Sequence, residues 1–257
     1  MKSKTQTGWR RAAGWIGLLA LVTLGAGCLR LEPTLTLTPD GTGTLRLLYS
    51  MKEPMLGQVQ SFHRLAEQLQ QAEPGGGSNA PVRELQIPCV YDETVIRQQL
   101  KPYEARGIKI KALRCDTRQG WRHVDLVLQF DTLEHVMALP CFADCAVSLK
   151  RVNGDDYRLT IQAPDLSGEQ ALPDLANPAT AKTLGTLLGG FSLALRIRTP
   201  QDIVTTNANR NDGREASWVF DFDKDPKALA GLNKAVLQVV FQGAGLYLKE
   251  FDRPAAP

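Results

Sequence analysis

Alternation of apolar and polar side chains at a period of two restricts this chain more than anything else, because it returns in segment after segment between turn residues. Thr34-Leu35-Thr36-Leu37-Thr38 alternates, Pro39-Asp40-Gly41-Thr42-Gly43 turns, and Thr44-Leu45-Arg46-Leu47-Leu48-Tyr49 comes back. Residues 33–50 therefore read as a β-hairpin. Ile108 to Arg114 and Trp121 to Phe130 repeat the arrangement around Arg118-Gln119-Gly120, with Val124, Leu126, Leu128 and Phe130 on one face. Cys145 to Val152 and Tyr157 to Ala163 flank Asn153-Gly154-Asp155-Asp156. Phe191 to Arg198, Val204 to Thr206, Ala216 to Phe222 and Val236 to Phe241 add further strands. Hairpins of this kind bury one face and wet the other, which favours antiparallel sheet.

Elsewhere the period becomes helical. Met55, Val59, Phe62, Leu65, Ala66 and Leu69 predict a helix over 55–72. Asp92 reads as the N-cap of a helix carrying Val95, Ile96, Leu100 and Tyr103, with Pro102 near its end and Gly107 as its stop. Asp131-Thr132-Leu133-Glu134 resembles a capping box with Asp131 as the cap, opening a short helix that Pro140 stops. Two more helices are expected, from Pro178 to Leu188 and from Asp225-Pro226 to about Lys234. Glu73 to Pro81, rich in glycine, lacks the Lys-Ser/Thr pair of a phosphate cradle and reads as a surface loop. The expected fold class is α+β: a mainly antiparallel sheet built from β-hairpins with three to five packed helices.

The N-terminal segment speaks to location. Lys2, Lys4, Arg10 and Arg11 precede the apolar run Ala12 to Leu24, and Gly25-Ala26-Gly27 leads into Cys28. That run is short of the roughly 20 residues a spanning helix needs, so it reads as a secretory signal peptide. A Cys directly after small residues resembles the lipobox of bacterial lipoproteins, although Gly25 stands where the common pattern has Leu and Leu24 lies one position further back. The resemblance implies that the Cys28 sulfur takes a diacylglycerol, that residues 1–27 are removed, and that the new amine is acylated, with palmitate as a typical chain. Residues 28–32 would form a short tether of at most about 18 Å, keeping the body against the lipid. The extracytoplasmic domain is expected over 33–250, divisible into two related halves near 140, with 251–257 as a tail. Leu29 is not the Asp that, by resemblance to enterobacterial lipoproteins, signals inner-membrane retention, so cell membrane and outer membrane both stay open.

Charge belongs mainly to the leader. The sequence has 30 Lys and Arg against 27 Asp and Glu, and the four basic residues before Cys28 leave 26 against 27 once it is cut. With no basic tract, nucleic acid is not an expected partner. Apart from Cys28, four cysteines remain, Cys89, Cys115, Cys141 and Cys145, and an even number in an exported chain reads as two disulfides. Three pairings are open; Cys89–Cys115 and Cys141–Cys145 are favoured, the first bracketing a helix-strand unit and the second being local. No C-x-x-C knuckle points to zinc. His63, His123 and His135 read as solvated or partnered side chains, and Asp221-Phe222-Asp223-Lys224-Asp225 lacks the Gly and Glu of a calcium loop. There is no G-x-S-x-G or H-E-x-x-H, so no enzyme, metal or cofactor is expected.

The course from Cys28-Leu29-Arg30-Leu31 into Thr34 to Gly43 is similar to the start of the LppM-type lipoprotein domain. Phe130-Asp131-Thr132-Leu133-Glu134, Asp155-Asp156-Tyr157-Arg158-Leu159, and Thr205-Thr206-Asn207-Ala208-Asn209 before Trp218-Val219-Phe220 continue the likeness over residues 28–222. The cysteines and the part after Asp223 depart from it. The resemblance implies an α+β envelope domain that handles lipid or glycolipid and brings no catalytic residues. The expectation is thus a membrane-anchored, non-catalytic lipoprotein binding a lipid, glycolipid or other apolar envelope molecule; the alternative is an assembly lipoprotein docking on an envelope protein.

Overall fold

Leucine and valine on alternate positions pair across strands into two sheets, seen in a computed structural model that describes residues 29–57, 90–142, 145–163, 190–222, 224–225, 228 and 235–254. The larger sheet has seven strands in the order β3-β4-β2-β1-β7-β10-β9. These are β1 (Leu29–Leu37), β2 (Gly43–Lys52), β3 (Ile108–Arg118), β4 (Trp121–Phe130), β7 (Ser192–Arg198), β9 (Arg210–Asp212) and β10 (Glu215–Asp221). The smaller sheet runs β12-β5-β6-β11-β8. It comprises β5 (Ala146–Val152), β6 (Asp156–Gln162), β8 (Ile203–Thr206), β11 (Val236–Phe241) and β12 (Phe251–Arg253). Inner faces of both sheets contribute to one hydrophobic cluster, for example Leu45, Leu126 and Ile197 from the larger and Val147, Leu159 and Val239 from the smaller.

Register follows the alternation. Leu45 faces Leu128, Leu47 faces Leu126 and Tyr49 faces Val124 across β2 and β4, all on the buried side. Arg46 on the outer side donates to Asp125 from Nε at 2.8 Å and from Nη2 at 2.6 Å. Gln119 and Gly120 both have positive φ, 52° and 74°, as a two-residue hairpin turn of type I′ demands. A bulge between Ile110 and Ala112 resets β3 against β4, so Leu113 and Cys115 turn inward opposite Leu126 and Val124. In the β1–β2 turn, the Asp40 carboxylate accepts from Thr38 Oγ1 at 2.6 Å, Thr42 Oγ1 at 3.0 Å and Thr42 N at 3.2 Å.

Those bonds, the one from Thr38 first, hold the Asp40 carboxyl below its usual 3.8. The lowered value means that the turn favours the charged form and loses these contacts only as pH falls through the depressed midpoint. NMR titration of the Asp40 carboxyl carbon is therefore expected to give a midpoint below 3.8, moving back toward it in Thr38→Val.

The expectation of three to five packed helices is corrected: the protein is mostly β-sheet, in two sheets that cover one another. Among the described residues only α1 (Glu93–Glu104) exceeds two turns; α2 (Leu133–Met137) is five residues, followed by a 3₁₀ turn at Pro140–Phe142. The reason is that the sheet faces supply most of one another's apolar cover, and α1 adds only Ile96 and Leu100 to the buried set while packing on β3. Residues 53–57 are helical, whereas the rest of the helix expected over 55–72, that over 178–188 and nearly all of the one closing at Lys234 lie outside the described residues.

Asp92 caps α1 as expected, its Oδ1 accepting from Val95 N at 3.0 Å. The cap of α2 is Thr132, one residue later than the capping box suggested. Asp131 is engaged elsewhere: its N–H donates to Gly107 O at 3.1 Å, and its carboxylate lies so close to Gly107 that a Cβ there would come within 2.4 Å of Oδ2. Gly107, at φ +78°, ends α1 in the left-handed conformation that suits glycine.

Two long-range pairings have no local signature. β1 pairs in parallel with β7, Leu31 beside Leu193 and Leu35 beside Ile197, so the larger sheet draws strands from both sides of residue 140. Phe251–Arg253, read from sequence as part of a tail, forms β12 against β5. From there the Arg253 guanidinium donates to the carbonyls of Met137, of Phe142 at 2.6 Å and of Cys145 at 3.1 Å. Charge-assisted bonds from one guanidinium to three carbonyls are strong ones, so Arg253→Met should lower stability by about 2–4 kcal/mol in chemical denaturation, although the apolar stem is kept.

Candidate functional site

One end of the larger sheet gathers the residues that sequence separates most. Leu29 pairs with Met51, Met51 with Arg122, and Arg122 with Thr117, so the start of β1, the end of β2, the start of β4 and the end of β3 lie side by side. Cys28 lies outside the described residues, but its peptide bond to Leu29 keeps the two Cα atoms about 3.8 Å apart. The lipidation candidate is therefore next to this end, and β1 starts four residues earlier than the alternation suggested.

Trp121 is the centre of this end. It follows the type I′ turn directly, half-buried, with the Arg30 guanidinium carbon 4.8 Å and Lys52 Nζ 5.5 Å from a ring centroid. Arg30, Arg118, Gln119, Trp121 and His123 line an open hollow of ≈ 290 Å³. Arg118 Nη2 donates to Asp116 Oδ2 at 2.6 Å, and Arg114 Nε lies 3.1 Å from the same oxygen. The Arg118 bond, with the charges of Arg118, Arg114 and His123, holds the Asp116 carboxyl below its usual 3.8. Arg122 belongs to the neighbouring rim, donating from Nη1 to Thr117 Oγ1 at 3.1 Å.

At the other end, where the β1–β2 turn meets residues 247–251, Leu37, Leu133, Leu149, Leu248 and Phe251 border a recess of ≈ 80 Å³. Lys249 Nζ, 2.8 Å from Glu134 Oε2, bridges its rim. Sites for small ligands occupy about 300–1,000 Å³, so this recess is too small for an acyl chain.

Neither expected disulfide is seen among the described residues. Cys115 is a half-buried thiol on the inner face of β3, raised by burial and by the charges of Glu93 and Asp92. Its expected partner Cys89 lies outside the described residues. Cys141 is a thiol too, not bonded to Cys145; burial, with the Cys145 thiol beside it, pushes it up to about 12, which favours the neutral form.

His123 sits on the outer face of β4, opposite Ser50 and Asp116, as its place beside Val124 and Leu126 requires. His135 is on α2, and His63 lies outside the described residues. Asp221 pairs with Lys224 at 2.8 Å. Among the described residues, no group of three His, Cys, Asp or Glu side chains converges as a metal site. Sequence reading missed the Trp121 cluster, since its members lie as far apart as residues 30 and 121. The usable signal was that Arg118 and Trp121 flank a two-residue turn.

No family model matches this chain, and no curated protein matches it. Among solved structures it is similar to the NMR structure of the folded domain of Mycobacterium tuberculosis LppM, at 13% identity and a TM-score of 0.43, covering 85% of this chain and 92% of that one. Likeness of that degree establishes neither a family nor a shared fold.

Proposed function

We propose that this chain is a lipid-anchored, non-catalytic protein of the extracytoplasmic cell envelope, held at the bilayer through acylated Cys28. The observation that carries this reading is that Leu29, the residue after Cys28, is already paired with Met51 in the larger sheet. A leader ending at Gly27 would thus leave the acylated residue one peptide unit from a paired strand, with residues 29–32, expected as tether, already in β1. No helix among the described residues is long and apolar enough to cross a membrane, so the thioether would be the attachment in this reading.

The recess at the far end is too small for an acyl chain, which favours contact of a lipid or glycolipid with the surface of this body. The alternative, docking on an envelope protein through a sheet edge, has less to stand on. The long edge strand β3 carries Lys109, Lys111, Arg114 and Arg118 and a bulge, features that oppose strand addition. Mass spectrometry of the native N-terminal peptide tests the proposal. The expected peptide begins at Cys28 and carries diacylglyceryl and acyl masses; a peptide beginning at Met1, or an unmodified Cys28, overturns it.

A further inference from the structure

We propose that the end of the larger sheet around Trp121 is a docking surface for the headgroups of anionic phospholipids. This rests on the anchorage at Cys28 proposed above and names what the anchored end touches. Three observations point there. Arg30, Lys52, Arg118 and Arg122 stand on these strand ends against the carboxylates of Asp116 and Glu53, an excess of positive charge on a chain that carries 26 basic against 27 acidic side chains from Cys28 onward. Trp121 lies among them with an apolar ring and a polar N–H, the side chain that prefers the boundary between hydrocarbon and water. Finally, Leu29 is paired in the sheet at this end, and Cys28 is joined to it by one peptide unit.

Charge complementarity selects the occupant. Phosphate-bearing lipids offer negative oxygens at the depth where the long stems of Arg30 and Lys52 reach past the Trp121 ring, and the hollow of ≈ 290 Å³ between Arg30, Arg118 and Trp121 gives such a group room. Asp116, shared between Arg114 and Arg118, offsets one positive charge and leaves the patch net positive. The surface is wet and shallow, which suits reversible headgroup contact and not enclosure of a whole lipid.

The test uses the intact acylated protein reconstituted into vesicles of phosphatidylcholine alone or with phosphatidylglycerol. Trp218 is 4% exposed, so subtracting the emission of a Trp121→Phe variant isolates Trp121. Its quenching by neutral acrylamide should fall when phosphatidylglycerol is present and recover in high salt. Lys52→Ser combined with Arg118→Ser should shift the docked equilibrium by about 25-fold toward the open form, from about fivefold per cation near an anionic surface. The thermal transition should not move, as both residues are exposed. Equal quenching in both vesicle types, with Cys28 shown to be acylated, overturns the docking surface and leaves the anchor standing. Shielding that ignores lipid charge and salt also overturns it, since the anchor alone would then set the orientation. An unmodified Cys28 removes both proposals.

Discussion

With Cys28 replaced by Ala, the protein is expected to leave the membrane fraction entirely. The sulfur takes the diacylglycerol in this reading, so without it neither the thioether nor the later acylation of the new amine can form. The size of the effect follows from chain number: one acyl chain of about 14 carbons gives an association constant near 10⁴ M⁻¹, which is marginal, whereas several chains multiply it beyond measurable release. The surface at Trp121 cannot compensate, because a handful of cations on a shallow face supports only salt-sensitive contact. Fractionation of cells expressing the variant and the unsubstituted chain, with a salt wash, measures this. Retention of the variant in washed membranes sinks the proposed anchor.

The second large effect is expected at Phe130. Its ring is 0% exposed at the end of β4, between Gly43 on β2 and Ile108 on β3. Gly43 has no side chain where that ring lies; a Cβ there would come within 2.5 Å of Phe130 Cζ and 2.1 Å of Thr36 O. Small and large residues thus fill one space from opposite strands, and neither neighbour can close in when the ring is removed. Phe130→Ala should cost about 3–5 kcal/mol, the range for deleting a buried aromatic, and lower the melting temperature by about 6–20 °C for a domain of this size. A loss below about 1 kcal/mol in urea denaturation would show that the core collapses into the void.

Much of the β-structure was legible because its signals are local. Val124, Leu126, Leu128 and Phe130 announce a buried face by spacing alone, and each is at most 1% exposed. Asn153 and Gly154, at φ 48° and 83°, mark a turn by residue type. The hairpin partners of β1, β4 and β6 lie where those turns put them, whereas Val204 to Thr206, read as flanking the turn before β10, joins β11 in the smaller sheet and β10 takes β9. What sequence could not supply is pairing at a distance. Nothing in Leu31 or Leu35 names Leu193 or Ile197 as neighbours, and parallel strands leave no turn between them to read.

The expectation of three to five packed helices failed, although the short helix expected before Pro140 is present. Helical spacing in residues 131–139 yields only the five residues of α2, since Asp131 is drawn to Gly107 and Pro140 turns the chain. The Trp121 cluster and the Arg253 clamp were equally invisible, because each joins strand ends whose adjacency is a property of the completed sheets. Cys28 is the reverse case: its candidacy comes wholly from the order of residues before it, and the fold adds only that β1 begins at the next residue.

That strand is the fourth of seven in its sheet, with three neighbours on either side. Any pull between bilayer and body would travel along β1, whose hydrogen bonds to β2 and β7 run across the direction of the load. Such bonds are strained all at once instead of peeling apart singly, so under the proposed anchorage the load would fall on a strand held along both edges, and drag on the envelope would uproot fatty chains before it unravelled the protein.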